Sequence, residues 1–217
     1  MPHVYADKYL HIDLSSGAVT AHSIDDDDVR RFLLGSGYAA RLFHAMFDPA
    51  LGWDDPASPL LIFNGLLSGT FAPTGCRSAW CARSPLTGIW GESNMGGHWG
   101  AELRFAGLDG LVITGRAEQP VYLWIDGTGS VRDRPERKSI TRSGRSPTEP
   151  VDSSGRSLTE PVTIELRDAG HLWGCNHYHV YDQVRAETDP KAQVACIGLG
   201  GERLVRYAGV MQGGIEH

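Results

Sequence analysis

What the chain has little of narrows it first. No apolar run approaches the roughly 20 residues that cross a bilayer, and residues 1–10 hold no signal-peptide apolar segment. Those absences set an expectation of a cytoplasmic protein with no membrane partner. Positive charge is in deficit: 20 lysines and arginines stand against 26 aspartates and glutamates, a net charge of −6. A general nucleic-acid surface needs the opposite balance, so no nucleic-acid partner is expected. Cysteine is scarce and scattered. Cys76, Cys81, Cys175 and Cys196 form no Cys-x-x-Cys pair. Such spacing is poor for zinc or an iron–sulfur cluster and reads as free thiols in a reducing compartment.

Glycine, by contrast, is plentiful. The 217 residues suffice for one large domain or two small ones, and 27 glycines favour turn-rich β or α+β structure over a helical bundle. The organising stretch is residues 68–107, with eight of those glycines and Trp80, Trp90 and Trp99. It reads as turns and close approach of backbone to a ligand rather than as ordinary core. Gly96-Gly97 precedes a short helical pattern at 101–106, and bare N–H groups at a helix start attract anions. Arg77 follows a second turn, Pro73-Thr74-Gly75. One guanidinium with two glycine turns points to a flat, phosphate-bearing ligand. Arg77 also suits a surface ion pair, and Asn94 a left-handed turn. His98 and Trp99 suit packing better than chemistry.

In chain order, residues 9–24 read as a β-hairpin, with Leu10, Ile12 and Leu14 alternating. Asp25 to Asp28 suit a helix N-terminus. Gly35-Ser36-Gly37 breaks that helix, which resumes over 38–47 with Ala39, Leu42, Phe43 and Met46 on one face. A Pro/Asp-rich loop leads to a buried strand at 60–63. Strands follow at 110–115 and 120–125, with a hairpin turn at 126–129. Residues 134–162 lack periodicity and carry a near-copied repeat, Ser143-Gly144-Arg145-Ser146 then Ser154-Gly155-Arg156-Ser157. This reads as a mobile surface loop duplicated locally, with a phosphosite or partner motif as the alternative. A strand at 163–166, a turn at 168–174 with a buried tryptophan, a helix at 177–187, a strand at 192–197 and a glycine turn at 198–201 complete the pattern. The type of the last element, 202–211, stays open. His171, His177 and His179 look like a metal triad but suit structural or surface roles. Hairpin, helix, Asp-Pro break, strand and glycine turn occur in both halves, an internal echo of two α/β units.

The motifs together resemble the N-terminal domain of the aldehyde:ferredoxin oxidoreductase family of tungsten–pterin enzymes. The pieces are Gly65-Leu66-Leu67-Ser68-Gly69-Thr70, Ala72-Pro73-Thr74-Gly75-Cys76-Arg77, Arg83-Ser84-Pro85-Leu86-Thr87-Gly88 and Ser93-Asn94-Met95-Gly96-Gly97-His98-Trp99-Gly100-Ala101-Glu102-Leu103-Arg104. Ala106-Gly107-Leu108-Asp109-Gly110, Gly115-Arg116-Ala117, Asp168-Ala169, Leu172-Trp173-Gly174, Ile197-Gly198 and Gly201-Glu202 follow in order, from about residue 9 to residue 211. The repeat-bearing loop 134–162 is the one large departure. Leu66 and Leu199-Gly200 stand where the family usually shows Pro and Pro-Ala.

The resemblance implies an α+β fold of two similar α/β subdomains, an internal duplication, whose β-sheets form a base for a pterin cofactor. Residues 1–217 would be this one tungstopterin-binding domain. The cofactor would be tungstopterin, or molybdopterin, with a bridging magnesium ion and no protein ligand to the tungsten. The family's phosphate-binding Arg falls on Arg77, its cofactor-contacting Asn and Gly on Asn94 and Gly96. Gly97 adjoins them, and Asn94 is also the magnesium candidate. The resemblance implies aldehyde oxidation to carboxylic acid with ferredoxin as electron acceptor. Family enzymes are about three times as long, and their [4Fe–4S] ligands, acid–base residues and second pterin loop lie beyond the position of His217. No catalytic residue is therefore assigned. The expected partners are the C-terminal domains or a partner subunit, with a homo-oligomer possible. The rival reading is a non-catalytic, truncated or split-subunit module that binds a phosphorylated ligand or a partner subunit.

Overall fold

The computed structural model describes residues 4–127 and 162–213. Strand β1 (Lys8–Asp13) turns back into β2 (Ala18–Ser23) as the expected hairpin. Helix α1 (Asp26–Phe32) starts where Asp25 accepts a hydrogen bond from the Asp27 N–H, with three further aspartates in its first turn and Arg30 and Arg31 in its last. That arrangement satisfies an orphan donor and matches the helix dipole at both ends. Gly35, at φ +70°, makes the break before α2 (Ser36–Met46). Then come β3 (Leu60–Asn64), β4 (Ser78–Arg83), β5 (Trp90–Met95), α3 (Trp99–Phe105) and β6 (Gly110–Thr114).

These strands form one six-stranded mixed sheet in the order β2-β1-β6-β3-β4-β5, parallel only between β1 and β6. Register sorts the side chains onto its two faces. Leu61 pairs with Cys81 and Val112, and Phe63 with Ala79. All five point to one face and pack against Val29, Tyr38, Ala39, Leu42 and Phe43 of α1 and α2. Their neighbours along the strands, Leu10, Ile12, Ile62 and Leu111, fill the other face with Leu103 of α3 and Leu108. That second face is covered by a separate antiparallel ribbon, β7 (Val121–Gly127) with β8 (Val162–Asp168), through Leu123, Ile125, Ile164 and Leu166. The alternation of period two thus builds two cores on one sheet.

A buried ion pair locks one end of the sheet. Arg104 Nε lies 2.7 Å from Asp109 Oδ1, and the two side chains are 8% and 0% exposed. The same guanidinium donates to the carbonyls of Val4 and Gly65, at 2.7 and 3.3 Å. Gly65 N–H donates to the Arg77 carbonyl at 2.9 Å, which also accepts from Ser68 Oγ at 2.7 Å. The pair therefore fixes the 65–77 loop from beneath.

Beyond the ribbon, a short 3-10 turn (Gly170–Leu172) and α4 (His177–Glu187) enclose a third, small core of Ala169, Leu172, Val180 and Val184. Strand β9 (Ala195–Ile197), the one-turn helix α5 (Leu199–Glu202) and β10 (Val210–Gln212) finish the described chain, β9 and β10 forming a two-stranded sheet. Several expectations change here. The stretch 68–107, read as turns, contains β4 and β5, with Ala79 and Cys81 in the core. Trp173 is 53% exposed, and Leu172 is the buried residue of that turn. The strand expected at 192–197 covers only its last three residues, and the glycine turn at 198–201 is mostly α5. Hairpin and then helix do occur in both halves. The first half, however, builds a six-stranded sheet and the second contributes two two-stranded ones. The repeats at 143–146 and 154–157 and the rest of loop 134–162 before Val162 lie outside the described residues, as does the turn at 128–129.

Candidate functional site

Strands β4 and β5 pair with Ser78 opposite Met95 and Ala79 opposite Asn94. Arg77 and Gly96 are the next residues outward, so they leave the ladder at the same end of the sheet. Asn94 is exposed on the edge strand, its amide 3.5 Å from Glu92 Oε1. A Cβ placed on Gly96 would meet nothing within 4 Å. Gly97 has φ +71°, and a Cβ there would come within 2.7 Å of Gln212 Nε2. A side chain at Gly97 would therefore be strained by its backbone and would have to push the end of the Gln212 side chain aside.

Gly97 and Gln212 both line a groove of about 750 Å³. One wall is β4 and β5 with their connecting turn; the other is the segment 206–212. Asn94, Gly96 and Gly97 line it together, beside Ser93 and Glu92. Arg77 does not line it. Its guanidinium is exposed and makes no hydrogen bond or ion pair among the described residues. Trp99, the first residue of α3, packs its ring 5.1 Å from Trp80, a packing role as expected.

Sequence reasoning missed the second wall. Its residues follow no periodicity, and the segment is held by the pairing of β10 with β9 and by α5, which is anchored from afar. Both carboxylate oxygens of Glu202 accept from the Gly174 N–H at 3.0 Å. The one sequence signal near it was Gly201-Glu202, a piece of the resemblance rather than a local pattern.

Among the described residues no three His, Cys, Asp or Glu side chains gather as a metal site. His171 instead hydrogen-bonds Glu187 at 3.0 Å, linking the 3-10 turn to the end of α4, and the His177 ring lies tilted against that of Tyr178, centroids 3.8 Å apart. The Glu187 carboxyl is held below its usual range by the Gln183 amide and by His171. All four cysteines are free, and burial pushes the Cys81 thiol up to about 12. No reactive thiol faces the groove.

The model of the family "Aldehyde ferredoxin oxidoreductase, N-terminal domain" matches residues 9–141 and 156–217. The chain belongs to this family. The gap in the match falls within the repeat-bearing loop. Among relatives, the tungsten-containing aldehyde ferredoxin oxidoreductase of Pyrococcus furiosus is 32% identical over 95% of this chain, and its counterpart in Thermococcus kodakarensis is 31% identical over 95%. An aliphatic sulfonate oxidoreductase, WOR-like subunit, of Pyrococcus furiosus is 25% identical over 96%. In each case the match takes in only 29 to 30% of the relative. The active-site complex BamBC of benzoyl coenzyme A reductase, solved with 1,5-dienoyl-CoA, superposes with a TM-score of 0.80 at 28% identity, over 98% of this chain and 28% of that one. The chain thus spans under a third of the length of the proteins it matches. Among the described residues, no helix is long and apolar enough to cross a membrane.

Proposed function

We propose that this chain is the cofactor-holding domain of a tungsten–pterin oxidoreductase that oxidises aldehydes to carboxylic acids and passes the electrons to ferredoxin. The observation that carries this is the groove, in which Asn94, Gly96 and Gly97 meet on a domain of this family. Its donor set fits a flat, polar, phosphate-bearing ring. An amide and a hydroxyl line one wall, and bare backbone at Gly96 leaves room for a ring. Bound there, the metal–pterin supplies the two-electron chemistry, RCHO + H₂O → RCOOH + 2 H⁺ + 2 e⁻.

The chain's own residues bind and orient. Asn94 would hold the pterin edge or a bridging magnesium ion through its amide. Gly96 and Gly97 would let the ring approach the backbone. Arg77, unpaired at the same sheet end, would fork onto a phosphate. The six-stranded sheet and the smaller sheets would form the base beneath the cofactor, and the recurring hairpin and helix support an internally duplicated α+β domain with 134–162 as an inserted loop. A [4Fe–4S] cluster and the acid–base groups would lie in the two-thirds of the relatives not spanned here, on the same polypeptide or a partner subunit. Free thiols fit a cytoplasmic setting.

The test is metal and pterin content after anaerobic purification from a tungstate-fed host. Mass spectrometry should find W or Mo with fluorescent oxidised pterin, and Asn94→Ala and Arg77→Ala should each lower pterin content several-fold. Protein that folds but carries neither metal nor pterin would refute the proposal.

A further inference from the structure

We propose that Asn64 is a positioning residue whose buried amide fixes the separation of the two arms of the site, an inference that rests on the pterin reading above. One arm is the 65–77 loop, which ends in Arg77. The other is the turn between β5 and α3, which holds Gly96 and Gly97. Asn64 ends β3 and is fully buried. Its backbone N–H donates to the Asp109 carbonyl at 2.8 Å, and it pairs with Ser78 of β4. It therefore stands at the root of the loop, next to the bond from Gly65 N–H to the Arg77 carbonyl that closes it.

The side chain reaches the other arm. Asn64 Nδ2 donates to the Gly100 carbonyl at 2.8 Å, in the first turn of α3. One turn further along the same helix face, the Arg104 guanidinium donates to the Gly65 carbonyl at 3.3 Å. Two successive residues at the root of the loop are thus tied to two successive turns of α3. Gly100 makes the close approach possible. A Cβ there would sit 2.7 Å from Asn64 Oδ1 and 3.6 Å from the carbonyl oxygen of Cys76, the residue before Arg77.

Packing alone does not call for an amide at this position. Asn64 Oδ1 is buried and has no hydrogen-bond partner among the described residues. A leucine of similar volume would fill the place without stranding an acceptor. What leucine cannot supply is a directed bond from β3 to the start of α3. That bond holds a guanidinium and a glycine turn at one spacing before the ligand arrives, so binding does not bear the cost of ordering them.

The test titrates neopterin monophosphate into the 217-residue chain and its variants by pterin fluorescence, with thermal midpoints measured alongside. Asn64→Leu should match or exceed the wild-type midpoint and yet weaken binding about fivefold or more. In an Arg77→Ala background the same change should weaken binding much less, because the arm it positions has lost its phosphate contact. If Asn64→Leu does not fold, Asn64→Ala combined with Gly100→Ala takes its place. There the added methyl fills the space that Oδ1 leaves, and the protein should fold but bind weakly. Wild-type affinity in either variant, or equal losses with and without Arg77, overturns the positioning role and leaves the pterin reading standing. A wild type that does not bind the probe overturns both.

Discussion

The Arg104–Asp109 pair shows how one contact sets a site it does not touch. Burial raises the Asp109 carboxyl above its usual range, opposed by the Arg104 guanidinium and the backbone N–H groups of residues 6–8. Burial likewise lowers the Arg104 guanidinium, opposed by Asp109. Each charge is tolerated only because the other is there. Asp109→Ala should therefore destabilise the chain by about 3–5 kcal/mol, read from urea denaturation. Replacing both partners with apolar residues, Arg104→Met with Asp109→Leu, should cost less than the single change. A cost for Asp109→Ala of a few tenths of a kcal/mol would mean that the pair is hydrated and does not lock the 65–77 loop.

At the scale of the element, the sheet tolerates no side chain at one position. Gly110 begins β6 opposite Phe63, and a Cβ there would sit 2.3 Å from the Phe63 ring and 2.7 Å from the Ile62 carbonyl. The carbonyl belongs to a central strand and cannot retreat. Gly110→Ala should cost about 1–3 kcal/mol or more, measured as a fall in thermal midpoint, with Phe63→Leu partly rescuing it. The same strands mark what the sequence displayed and what it hid. The β1–β2 hairpin was legible from the alternation of Leu10, Ile12 and Leu14 before a turn, α2 from its 3.6-residue period, β3 from a short apolar run and α4 from the Asp189-Pro190 stop. In β4 and β5 no such pattern persists. Only Ala79 and Cys81 of β4 are buried apolar residues, and β5 reads Trp-Gly-Glu-Ser-Asn-Met with no fully buried residue. An edge strand beside a groove needs no apolar face, so its glycines and polar groups looked like turns. For the same reason Asn94, Gly96 and Gly97, neighbours along the chain, were found together. The 206–212 wall depends on a contact between Gly174 and Glu202, which no local pattern encodes.

For the whole molecule, the helix-side core carries a consequence for alkaline stability. Cys81, Tyr38 and Tyr9 pack on that side of the sheet. Burial pushes Cys81 from 9.0 to about 12 and Tyr38 from 10.0 to about 12, and it also raises Tyr9. Each folded-state value lies above the unfolded one, so between pH 9 and 12 the native chain binds more protons than the unfolded chain. Stability changes with pH as the unfolded count minus the native count, which is negative here. The contribution is fully present below pH 9 and is lost as pH rises toward 12. At about pH 10.5 unfolding should release roughly two protons, and the urea midpoint should fall steadily from about pH 9 upward. Cys81→Ala removes the earliest of these titrations. Whatever its own cost at pH 7, the variant should show a shallower decline between pH 9 and 10 than the wild type. Parallel declines in the two proteins would mean that the Cys81 thiol is solvated, and that the sheet face beneath α2 is more open than its packing against Phe43 and Leu42 describes.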